Sequence, residues 1–136
     1  MSESPFYMAL DSDPANVSEV QPYVDRVVQQ FNIKNDLYGN ILVSVTEAVT
    51  NAIIHGNQAD ISRQVFLDTK IINNSLLAFR ITDQGPGFDF DHVPDPTEPS
   101  NIHDLNGRGV FLMRQLSDGV VFSDNGSTVE LKFKLL

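Results

Sequence analysis

Apolar residues at Val17, Val20, Val24, Val27, Val28 and Phe31 recur every three or four positions. That is the spacing of one helix face, so a helix is predicted over 17–31, capped by Asn16 or Ser18. A second stripe follows: Ile41, Leu42, Val45, Ala48, Val49, Ala52 and Ile53. It predicts a longer helix over about 37–54, capped by Asn35 or Asp36 and ended by Gly56 and Asn57. The period then changes. Residues 58–64 are polar and read as a loop. Residues 65–72 alternate and then run apolar, and 76–82 are apolar again. With Asn73-Asn74 as the turn, these form a strand hairpin. Asp83 to Gly87 reads as a sharp turn. Residues 88–106 hold Pro94, Pro96 and Pro99 among Asp and Asn, with no apolar period. Loops this long in compact domains are functional or mobile. A short helix is predicted over 109–116. Strands over 119–123 and 128–135 close the chain across Asp124-Asn125-Gly126. The patch Phe6 to Leu10 reads as an edge strand. The class is α+β, with helices covering one face of a sheet, in one domain over 1–136.

Composition narrows the function. The chain has 136 residues, enough for a core, and a net charge of 9 − 18 = −9. That charge argues against direct nucleic-acid binding and against an anionic membrane surface. It is compatible with a basic protein partner. There is no cysteine, which excludes disulfides, thiol catalysis and cysteine–metal sites. The start, MSESPFYMAL, has no basic segment before a long apolar run. No stretch reads as the roughly 20 apolar residues of a membrane span. A cytoplasmic location is expected. The methionines Met8 and Met113 and the nine Phe read as core, and His92 and His103 as surface residues.

Three polar segments carry the candidate chemistry. Glu47, Asn51 and His55 in EAVTNAIIHG are spaced i, i+4, i+8 and share one helix face. Such a face is either solvated or functional. An amide oxygen suits Mg²⁺, and a carboxylate one turn away can accept a proton from an attacking hydroxyl. His55 can donate to a phosphate oxygen or cap the helix end. Asp83, Gly85 and Gly87 in DQGPG sit at a strand end. Asp83 either stabilises the turn or accepts from an amino group such as adenine N6, with the glycines letting a flat ring approach. Gly107, Arg108 and Gly109 open a helix. This is either an ordinary junction or a phosphate site at a helix N-terminus, with Arg108 adding a charged contact. No GxxxxGK[ST] and no GxGxxG occur, so neither a Walker loop nor a dinucleotide fingerprint is present.

In this order and spacing the segments resemble the ATPase superfamily of gyrase, heat-shock chaperone, histidine kinase and mismatch-repair proteins. EAVTNAIIHG looks like its N box, DQGPG like its first glycine box and NGRGVFLM like its second. Within it, EAVTNAIIHG is similar to the anti-sigma-factor serine/threonine kinases of bacterial sporulation and stress regulation. The resemblance runs from about Val17 to about Leu135. It implies a two-layer α/β sandwich of the Bergerat ATP-binding type, with a mixed, mostly antiparallel sheet and helices on one face. It implies ATP and Mg²⁺ as cofactors, with Asn51 as the metal ligand and Glu47 as general base. Asp83 would bind the adenine amino group, with Gly85 and Gly87 shaping the pocket. Gly107 and Gly109 would approach the phosphates, Arg108 would stabilise the γ-phosphate, and 88–106 would be the ATP lid. The implied partners are a STAS-type anti-sigma-factor antagonist and a sigma factor, and the implied oligomer is a homodimer.

Two features depart from the pattern. Arg108 stands between the glycines where sporulation-type members carry an apolar residue. No Lys or Arg lies between Phe88 and Asn106. Two readings therefore stand: a protein kinase acting on an antagonist, and an ATP-dependent partner switch without phosphoryl transfer. Glu47 favours the first, because a pure binder needs no base. A histidine-kinase-like domain detached from its receiver partner is a third, and the lack of a phosphoacceptor helix before the site counts against it.

Overall fold

The computed structural model describes residues 6–87 and 108–135. The order is β1 (Phe6–Asp11), a 3-10 turn (Pro14–Glu19), α1 (Val20–Gln30), α2 (Asn35–Asn51) and a π-helical turn (Ala52–Gly56). Then come β2 (Gln64–Ile72), β3 (Leu76–Thr82), α3 (Arg108–Leu116), β4 (Gly119–Ser123), a 3-10 turn (Asp124–Gly126) and β5 (Thr128–Lys134). The strands form one sheet in the order β1-β2-β3-β5-β4. Its described pairings are all antiparallel, the limiting case of the mostly antiparallel sheet expected. The proposed lid, Gly107, His92, His103, Phe88 and Phe90 lie outside the described residues.

Period-2 alternation sorts the sheet faces. Leu67, Ile81 and Val129 are in register and buried, as are Phe79 and Leu131 beside Thr69. Val45, Val49 and Ile53 from the long helical run share this core, each fully buried. One step along, Asp68, Arg80 and Glu130 stand opposite one another on the other face. Their alternating sign suits neighbouring strands. Burial raises the Asp68 pKa, and Arg80 pulls it back. Phe66 is half-buried on that face and stacks on exposed Tyr7 at 6.5 Å. Not every Phe is therefore core: Phe6, Phe79 and Phe133 are buried, as is Met113, while Met8 is half-buried. The strand period sends Phe66 outward.

Helix starts differ from expectation. Asp13, not Asn16 or Ser18, makes the first cap, accepting from Ala15 N–H at 3.0 Å. Pro14 follows it, and its fixed φ suits the first position of a helical turn. That turn is 3-10, so α1 begins only at Val20. Ser18 bonds back to Ala15 O and Asn16 to Asp11 O. α2 starts at Asn35 with no side-chain cap. Asp36 lies inside its first turn, where a carboxylate complements the helix dipole. The run Asn35–Gly56 also corrects the expectation about membrane spans. By length and composition it is long and apolar enough to cross a bilayer. The same stripe here packs into the core between the other helices and the sheet.

Candidate nucleotide site

α2 buries Ile41, Val45, Ala48 and Val49. Fully burying such aliphatic side chains is worth roughly 1.5–3 kcal/mol each, which fixes the rotation of the helix. Glu47 and Asn51 are left half-buried on another face. Among the described residues neither side chain has a hydrogen-bond or ionic partner. The start of α3 lies against both. A Cβ at buried Gly109 would stand 2.7 Å from Asn51 Nδ2 and 3.1 Å from Glu47 Oε2, so a larger residue there would push these side-chain ends aside. Exposed Arg108 is the first residue of α3. Glu47, Asn51, Arg108 and Gly109 are thus brought to one place.

His55 lies beyond the α-helical part of the run. After Asn51 the helix widens into a π turn, with Asn57 N–H donating to Ala52 O at 2.8 Å. Glu47 and Asn51 keep α spacing, but His55 sits on the π turn and is exposed. Single π turns recur at functional sites.

The DQGPG segment closes against the end of that turn. Asp83 N–H donates to Ser127 O at 2.9 Å, which joins it to the start of β5. Gly85 N–H donates to Asp83 Oδ1 at 2.8 Å. A Cβ on Gly85 would collide with Gly56 O, and one on Gly56 with the Asp83 carboxylate. Gly87 has φ of +87° and lies against Asn125 O. Asp83 Oδ2 accepts from no described residue, so one carboxylate oxygen remains available. Burial pushes the Asp83 pKa up, while the Gly85 N–H and the charge of Arg63 pull it back.

Sequence reasoning missed several residues here. Gly56 and Asn57 read only as a helix end, yet Gly56 is the surface against which Asp83 and Gly85 lie. Arg63 fell within a polar loop. It pairs with Asp60 at 3.8 Å and its charge reaches Asp83. Its one signal was being the only Lys or Arg between Lys34 and Lys70. The two clusters lie along the C-terminal half of one helical run. Nine residues separate Glu47 from Gly56, about 13 Å at 1.5 Å per residue. The arrangement can hold an amino-bearing ring at one end and a metal-bound anion at the other.

Comparison with known proteins agrees on the fold. Residues 10–133 match the family model described as a histidine kinase-like ATPase domain. The chain is 30% identical over 131 residues to the serine-protein kinase RsbW of Bacillus velezensis, covering 91% of this chain and 81% of the relative. It is 30% identical over 125 residues to the anti-sigma F factor of Geobacillus thermodenitrificans, covering 87% and 76%. Among solved structures, the histidine kinase domain of the Erythrobacter litoralis EL346 blue-light activated histidine kinase aligns with a TM-score of 0.53 at 18% identity. That alignment covers 88% of this chain and 60% of the other. A second structure of that kinase aligns with a TM-score of 0.56 at 22% identity, over 84% of this chain and 41% of the other.

Proposed function

The chain belongs to the histidine kinase-like ATPase domain family, and on that premise we propose that it is an ATP-dependent serine/threonine kinase that regulates a sigma factor. Its protein substrate is a STAS-type anti-sigma-factor antagonist. The observation that carries this reading is the pairing of two unlike clusters on one helical run. Asp83 is anchored through Oδ1 and keeps Oδ2 for the adenine amino group. Earlier in the same run, Glu47 and Asn51 lie together beside Gly109. The names of the relatives support the regulatory context.

Each residue then has a task. Glu47 takes the proton from a serine or threonine hydroxyl of the antagonist as that oxygen attacks the γ-phosphorus. The bond from the γ-phosphorus to its bridging oxygen breaks, and ADP leaves. Phosphoryl transfer of this kind is chiefly positioning and charge stabilisation. Arg108 and the N–H groups that open α3 face the phosphates beside Gly107 and Gly109. Asn51 fits an Mg²⁺ ligand: its amide is half-buried and without a partner among the described residues. Bound Mg²⁺ would neutralise phosphate charge. His55 is a further polar group of the site on the π turn, and Gly85 and Gly87 border the base. The reading takes 1–136 as one domain acting as a homodimer in the cytoplasm, where it also holds the sigma factor.

A second reading, an ATP-dependent partner switch without transfer, is favoured by the lack of Lys and Arg between Phe88 and Asn106. Incubation with γ-labelled ATP, Mg²⁺ and candidate antagonists separates the two. The kinase reading expects label on the antagonist. Protein that binds Mg-ATP yet labels no antagonist belongs to the second reading.

A further inference from the structure

Asn57, the residue after the π turn, is fully buried and uses both ends of its amide. Its Nδ2 donates to Ser12 Oγ at 2.9 Å and to Gln64 O at 3.0 Å. Its Oδ1 accepts from Gln84 N–H at 2.8 Å. Carbonyl and N–H partners leave no doubt about which end is oxygen. Gln84 directly follows Asp83 and is held a second time, because its Oε1 accepts from Gln64 N–H at 2.7 Å. Ser12 is itself fixed, with its N–H and Oγ both donating to Arg63 O. One side chain therefore ties the Asp83 turn to the end of the long helical run, to Ser12 just after β1 and to the first residue of β2.

The backbone is bent to put it there. Gln58 and Ala59, the next two residues, both sit in the left-handed region, with φ of 56° and 55°. Neither is glycine, so this costs backbone energy that the surroundings must hold. The Ala59 N–H, donating to Ile53 O at 2.8 Å, is part of that hold. Strain maintained next to a saturated buried amide marks a position whose geometry is fixed.

We infer that Asn57 is a positioning residue for adenine recognition. It touches no ligand. It acts through Gln84 N–H, setting the Asp83 turn against Gly56 so that Asp83 Oδ2 meets the exocyclic amine of the base. The inference rests on the ATP-binding reading above. It adds that discrimination for the 6-amino group is set from behind the turn, by a residue outside the three family-like segments.

The test compares ATP with purine riboside triphosphate, which lacks only the 6-amino group. Calorimetry with Mg²⁺ is run on wild type, Asn57→Ala and Ser12→Ala. Wild type should prefer ATP. Asn57→Ala should weaken ATP by roughly tenfold, the factor that about 1.4 kcal/mol produces. It should leave the analogue within about twofold, so the preference collapses. A merely structural role would weaken both ligands by one factor and keep the preference, and that result overturns the inference. Should Asn57→Ala fail to fold, Ser12→Ala decides by the same ratio, since it removes one anchor of the Asn57 amide. A reduced ATP preference supports the inference and an unchanged one overturns it. A wild type that binds both nucleotides equally sinks the role of Asp83 and this inference together. A wild type that prefers ATP, with variants that keep the preference, sinks the inference alone.

Discussion

Two stretches of the long helical run, one at Gly56 and one at Glu47 and Asn51, are built in opposite ways. At the Gly56 end the backbone N–H groups of Asp83, Gln84 and Gly85 all have acceptors within the fold. Glycine backbones interlock there, and one carboxylate oxygen is left over. At the Asn51 end Glu47 and Asn51 have no partner among the described residues. A fixed donor–acceptor frame can discriminate between bases, because a wrong edge leaves buried polar groups unpaired. Groups left unpaired can instead answer charge that arrives with phosphate and metal. The same helix supplies both, so recognition and chemistry should be separable by mutation.

The largest separation should come from Glu47→Gln. It keeps size and hydrogen bonding but removes the proton acceptor. Phosphoryl transfer should fall by ~10²–10⁴-fold, the usual yield of general base catalysis. A variant with full transfer would put the base elsewhere and break the contrast.

Gly85→Ala attacks the other end. The added methyl meets Gly56 O, a backbone atom that cannot swing away. Overpacking of this kind costs about 1–3 kcal/mol. Thermal midpoint and Mg-ATP affinity should drop together, and wild-type values for both would mean the two backbones are not in contact.

Away from the site, Tyr23→Phe should cost about 1–3 kcal/mol in denaturant unfolding, because buried polar partners are orphaned. The Tyr23 hydroxyl donates to Phe6 O at 3.0 Å and pairs with Thr69 Oγ1 at 2.7 Å. Burial pushes its pKa to about 12 from 10.0. A raised folded pKa means stability held below the unfolded value and lost as pH rises. Wild type should therefore lose stability between pH 10 and about 12, and Tyr23→Phe should lose less in that window.

The smallest effect concerns Asp83 without nucleotide. Its pKa is raised chiefly by burial. Its contribution to folding is therefore present below the unfolded carboxylate value and lost as pH rises through the folded one. At neutral pH the ionised group costs the empty fold some stability. Asp83→Asn should leave the nucleotide-free midpoint equal to wild type or slightly higher. A clear drop would mean that the charge stabilises the empty site.

Most of the fold was legible in the residues. Apolar period placed both long helices, and Asn73-Asn74 and Asp124-Asn125-Gly126 placed the hairpins, because these signals are local. The misses came from longer-range geometry. A π turn leaves no periodic mark, so the change of helical geometry at His55 was not visible in the sequence. Asn57 does end the helical run as expected, but its bonds to Ser12, Gln64 and Gln84 join separate segments and leave no local mark. Phe66 read as core because hydrophobicity alone does not say which sheet face a residue takes. That Glu47 and Asn51 lie one helical turn apart, that Asp83 follows a strand and that Gly109 opens a helix was legible because such placements follow from short spacings.

The most direct measurement is Mg-ATP calorimetry on wild type, Asp83→Asn and Glu47→Gln under one set of conditions. Asp83→Asn should weaken binding by ~1.5–3 kcal/mol, the range for a hydrogen bond to a charged group. Glu47→Gln should bind within about twofold of wild type, less than 0.5 kcal/mol. The account is contradicted if Glu47→Gln loses as much affinity as Asp83→Asn, or if wild type takes up no Mg-ATP.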